Sequence, residues 1–139
     1  ADLSRVDQWL YNVLSQDTLL GNMVGGRIYV HSAPQGSALP VVIYSFLGGA
    51  DKLQTLRSRL TKAIFLVRAV GRGSSYDDIE EIADRIDAVM IVPEQGTLHR
   101  DIRIASCTRE QPHQRKDNEN GVPTVYLGGF YRIRYQPST

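Results

Sequence analysis

The stretch GGRIYVHSAPQGSALPVVIYSF, from Gly25 to Phe46, decides how the chain is read. It holds two short apolar runs, RIYVH at 27–31 and PVVIYSFL at 40–47, rich in the β-branched and aromatic residues that suit strands. The glycine and proline of Pro34–Gly36 mark a turn region between them. Gly25 and Gly26 open the stretch, and Gly48 and Gly49, just beyond it, end the second run. One histidine, His31, is its sole titratable group besides Arg27 and the tyrosines, so it reads as scaffold rather than as a chemical site.

Upstream, Leu3, Val6, Leu10, Val13 and Leu14 recur at helical spacing, predicting a helix from Leu3 that ends near Asp17, before Gly21. Downstream, the run AIFLV at 63–67 predicts a strand near the middle of a sheet, broken by Gly71 and Gly73. Ser75 and Asp78 have the form of a capping box. Behind them Ile79, Ile82, Ala83, Ile86, Val89 and Met90 line one face of a second helix. Ile102 and Ile104 alternate with charges, as do Tyr131, Ile133 and Tyr135 with Arg132 and Arg134, so both segments predict strands with one wet face. Between them the polar run REQPHQRKDNENG predicts a long loop at 109–121.

Together these elements predict one domain over 1–139, of α+β class, with a mainly antiparallel sheet and two helices packed on one face. That architecture leaves a surplus. Val41 and Ile43 oppose Val42, Tyr44 and Phe46 across one strand, and Phe65 and Val67 oppose Ile64 and Leu66 across another. Strands apolar on both sides require either that the sheet curl on itself or that another subunit cover the second face.

Composition excludes several classes. A hydrophobic share of 42% with 22% charged residues is globular rather than disordered. The formal net charge of +1 makes the whole molecule no trap for nucleic acid or anionic lipid. No apolar run reaches the roughly 18–20 residues that span a bilayer. Asp2 and Asp7 stand where a signal peptide needs positive charge and an apolar core, and the lone Cys107 can form no internal disulfide. Cytoplasmic synthesis is the expectation.

No catalytic, cofactor-binding or metal-binding set emerges. His31, His99 and His113 show no helical metal-ligand spacing. Cys107 on a strand reads as a small buried side chain, and GRGSSYDD places Asp77 and Asp78 where a bound phosphate would be repelled. The basic residues Arg57, Arg59 and Lys62, with Arg115 and Lys116 in the predicted loop, are the candidates for contacts with neighbouring proteins.

In this order, LLGNMVGGRIY, APQG, PVVIYS, SSYDDIEEIADRIDAVM, DIRIASCTRE and GGFYRIRY resemble the tail-completion, or tail-terminator, family of long-tailed phages and related gene-transfer particles. The resemblance covers nearly the whole chain; departures are concentrated in 109–121, and no residue role carries across there. It implies a structural protein of the virion, assembled in the host cytoplasm, with no active site. Such proteins form a ring, commonly a hexamer, at the head-proximal end of the tail tube, ending its polymerisation. The implied partners are further copies of the chain, the tail tube protein and the head–tail connector, with DNA passing through the lumen unheld. The alternative is a head-completion or stopper ring of the phage neck. An enzyme built on Cys107 or a histidine and a nucleic-acid binder are the rival classes.

Overall fold

A computed structural model of the chain describes residues 2–34, 36, 38–53, 59–73, 75–92, 96–119 and 121–137. The N-terminal apolar periodicity forms α1 (Asp2–Gln16), which breaks at Asp17, and α2 (Thr18–Val24) follows at once. Asp17 is extended (φ −76°, ψ 118°), and its carboxylate accepts a hydrogen bond from the Leu20 amide at 2.9 Å, capping α2. Gly25 ends α2 in the left-handed region at φ 60°, where a side chain would be strained.

The strands are β1 (Ile28–Val30), β2 (Val41–Leu53), β3 (Arg59–Arg72), β4 (Thr97–His99), β5 (Ile102–Glu119) and β6 (Val122–Pro137), with α3 (Asp77–Val89) between β3 and β4. They form one sheet in the order β1-β2-β3-β6-β5-β4. All three helices pack on one face of it. Their buried residues Val6, Leu10, Leu14, Leu20, Ile79, Ile82 and Ile86 meet Val42, Phe65, Val67, Ile104 and Ile133 in the main core. Each such large apolar side chain, fully buried, contributes about 1.5–3 kcal/mol. Gly71, at the end of β3, admits this packing: a Cβ there would overlap the Ile79 side chain.

The expected mainly antiparallel sheet with two helices is therefore corrected. The sheet is mixed and curled, and there are three helices among the described residues. The two runs of the Gly25–Phe46 stretch do not form a hairpin. β1 runs parallel to β2, with Ile28 opposite Val42 and Val30 opposite Tyr44. Side-chain alternation has period two in either sense, so the sequence pattern alone cannot separate them. Between β1 and β2, Ala33 and Leu39 lie on the second sheet face and pack against Val41, Ile43, Val70 and Tyr126. Part of the surplus apolar surface is thus covered by the chain itself.

The predicted loop at 109–121 is likewise a correction. Residues 109–119 continue β5, paired in register with β6 from Tyr131 back to Val122. Bulges at Phe46/Gly48, Ile104/Ser106 and Arg109/Gln111 bend the sheet. The predicted alternation at 102–104 and 131–135 holds, with Ile102, Ile104, Tyr131, Ile133 and Tyr135 all buried.

Candidate functional site

Register assigns every described strand side chain to one of two faces. Pairs opposite each other in an antiparallel ladder point the same way. Val70 faces Val41 and Tyr126, and Tyr126 faces Arg115; two residues along, Arg68 is opposite Gly128, and Gly128 opposite His113. Lys62 stands opposite Arg134, and Arg103 opposite Gln136. Lys62, Arg68, Arg72, Arg103, Arg115, Arg132 and Arg134 therefore share the sheet face turned away from the helices. Against them that face carries Asp117, which takes an ion pair from Arg115 at 2.7 Å, and Glu110 at a bulge, which pairs with Arg132.

Aromatic residues are set among these cations. The Arg68 guanidinium lies 4.4 Å from the Tyr126 ring centroid, and that of Arg115 lies 5.8 Å from it. Arg68 Nη1 stands 3.4 Å from His113 Nε2, and the His113 ring meets Phe130 edge-on at 5.5 Å. Burial first, then the neighbouring Arg68 and Arg115, lower the His113 pKa below the ordinary imidazole value. A neutral ring accepting from the guanidinium fits that arrangement. Beside this cluster lies a groove of about 450 Å³, lined by His31, Leu39, Val41, Arg68, Arg72 and Tyr126 among others.

The helix side carries the opposite charge. Asp77, Asp78, Glu80, Glu81 and Asp84 of α3 are all exposed, while Ile79, Ile82 and Ile86 of the same helix are buried. At 100° per residue, Asp77, Glu81 and Asp84 fall on the side of α3 opposite its buried isoleucines. Ser75 Oγ accepts from the Asp77 amide at 3.2 Å, but the N-cap of α3 is Tyr76, whose side chain makes no capping bond, so the expected Ser75 cap is not formed. The return bond of a capping box from Asp78 is not formed among the described contacts.

The five residues singled out from sequence separate. Arg57 lies outside the described residues. Arg59 begins β3, and its side chain also lies outside them. Lys62 and Arg115 reach the cationic face. Lys116, next to Arg115 on the same strand, points the other way, its Nζ 5.1 Å from the Tyr76 ring centroid. Arg68, Arg72, Arg132 and Arg134 were not among the candidates, although their even spacing along β3 and β6, four residues and two, is the signal that unites them. Cys107 sits half-buried beneath α3, and burial pushes its thiol up to about 12. His99 belongs to β4 and Cys107 to β5, so the two are not on one strand. Among the described residues no three His, Cys, Asp or Glu side chains group as a metal site. No described helix is long and apolar enough to cross a membrane.

Residues 8–128 match the family described as "Tail completion protein gp17". Solved structures resemble the fold, two of them over nearly the whole chain. One, titled "Virion of native gene transfer agent (GTA) particle", superposes with a TM-score of 0.64 at 14% identity, covering 90% of this chain and 91% of that one. Another reaches a TM-score of 0.51 at 14% identity, with 95% and 96% covered. No curated protein matches the chain by sequence. The family match takes in most of the helix layer, β1 to β5 and the start of β6, ending before Arg132 and Arg134, and the chain belongs to the tail completion family, whose members are structural proteins of virion tail assembly located in the tail.

Proposed function

We infer that copies of this chain close into a ring, a hexamer by the family resemblance, at the head-proximal end of the tail tube. There the ring ends tube polymerisation and offers its far surface to the head connector. The protein works through surfaces rather than catalysis, and DNA passes through the lumen without being specifically held. The observation that carries this reading is the sheet face that the helices leave uncovered, where arginines and lysine are set around the half-buried Phe130, beside the packed Val41–Val70 cluster. Surfaces of mixed apolar and cationic character belong to interfaces between proteins, where aromatic residues and arginine are enriched.

Electron microscopy of purified tail tubes mixed with the protein tests it. The expected result is a ring on one end of each tube and tubes of fixed length. Tubes that lengthen without control while both ends stay bare overturn the reading. Attachment to the head portal instead of tube ends would make the protein a stopper of the neck.

A further inference from the structure

The formal charge of +1 conceals a separation of charge across the molecule. The cations of the outer sheet face and the exposed acids of α3 lie on opposite sides, with the whole core between them. Neither set can neutralise the other within one chain. Among the described residues no cation pairs with Asp77, Glu80, Glu81 or Asp84, whereas Arg85, the lone cation of α3, is drawn inward to Asp17. On the sheet, Lys62 and Arg134 face each other as cross-strand partners, a like-charge juxtaposition that costs stability within the subunit.

We propose that the acidic stripe of α3 on one copy docks against the cationic outer sheet face of the next. Two further features fit a second copy of this chain as the occupant. Each side also carries apolar surface: Leu19, Tyr11 and Ile91 are exposed on the helix side, and the sheet face presents the half-buried Phe130 among its cations. The contact is also front-to-back, so each copy offers one of its two surfaces to each neighbour, and such a heterologous contact closes into a ring when the rotation permits. Nucleic-acid phosphate could meet the cations, but it would leave the acidic stripe and both apolar margins without a partner. The proposal rests on the ring reading above and supplies its subunit contact.

A charge-exchange experiment tests it on the full chain. Variant one carries Glu80→Lys, Glu81→Lys and Asp84→Lys. Variant two carries Lys62→Glu and Arg134→Glu, which leaves the like-charge pairing within the sheet unchanged. Self-association is read by sedimentation and by counting copies on tube ends, after circular dichroism establishes that each variant is folded. Each variant alone is expected to associate at least about tenfold more weakly than the parent, through like-charge contacts. An equimolar mixture regains assembly, because the lysines introduced on α3 of one variant then meet the glutamates introduced at 62 and 134 of the other, and the unchanged surfaces meet each other. A chain carrying both sets of changes regains it alone. Variants that assemble like the parent, or a mixture that stays dissociated, overturn the proposal. So does a parent that remains monomeric both in solution and on tubes. Loss of salt-dependent DNA retention by variant two, with its oligomer intact, would instead make the face a phosphate site. A parent that oligomerises but leaves tube ends bare overturns the tail reading alone.

Discussion

Asp17 shows how much one side chain settles. It caps α2 through the Leu20 amide and also accepts from both sides of the Arg85 guanidinium, at 2.8 and 2.6 Å, joining α2 to α3. The Arg85 hydrogen bonds, foremost, hold its carboxyl below the usual carboxylate range. Asp17→Ala removes cap and clamp together, and loss of the cap alone costs about 1–2 kcal/mol. That corresponds to a melting temperature roughly 4–8 °C lower, readable by calorimetry. Asp17→Asn keeps a capping oxygen and should lose less. The signal was present in the sequence as Asp17 before Thr-Leu-Leu, with Gly25 eight residues on. It was hidden because the apolar spacing of α1 runs into that of α2. Cys107 was legible as a packed side chain, and its chemistry follows. With the thiol raised to about 12, its thiolate fraction at pH 8 is about a thousandfold below that of a free cysteine. Alkylation by iodoacetamide is therefore expected to be slower by that order until denaturant is added. Labelling at the rate of a small thiol would contradict the burial.

Among the elements, the β5–β6 hairpin was the hardest to read. Alternation marks a strand only where one face is buried, as at Ile102 and Ile104. The outer half of β5 lies at the sheet margin, with β6 as its one neighbour, and carries polar side chains on both faces. It therefore looks like a loop, although Asn120-Gly121 is a strong hairpin signal and Gly121 has φ 79°. The bulge at Arg109/Gln111, Pro112 and the charges of Arg115, Lys116 and Asp117 discourage further strands from adding to that margin. Within β6, Gly128 is where the chain tolerates no side chain. A Cβ there would overlap the Val67 carbonyl oxygen and stand 2.5 Å from Arg68 Cα, both backbone atoms of the neighbouring central strand. Gly128→Ala must push β3 and β6 apart, with an expected loss of about 3 kcal/mol or more in urea unfolding. Gly48→Ala is the control: it meets open space beside its bulge and should change stability by less than about 0.5 kcal/mol. Equal effects at the two positions would contradict the close approach of the strands.

At the scale of the molecule, the sequence made the two charge sets visible but not their separation. Asp77 to Asp84 form one run, whereas the opposing cations are scattered from Lys62 to Arg134 and meet only through strand register. The same charges give stability a pH dependence whose sign can be worked out. His99 and His113 both have lowered pKa values, through burial first and then neighbouring arginines. Unfolded, each takes a proton near pH 6.5; folded, each resists it. Stability is therefore full above about pH 6.5 and falls as pH drops through the interval below it. Asp7 opposes this, because burial raises its carboxyl, so the folded state takes that proton more readily and gains as the pH nears its folded value. Asp17 acts last: its contribution is complete above the ordinary carboxylate value of 3.8 and disappears as pH falls through its lowered one. Urea midpoints measured from pH 8 to pH 3 should thus decline in two stages. Replacing both histidines, His99→Gln with His113→Gln, should flatten the first stage and leave the second. Asp17→Asn should flatten the second alone. A double-histidine variant whose first stage is as steep as the parent's would show that these imidazoles are not held neutral by the fold.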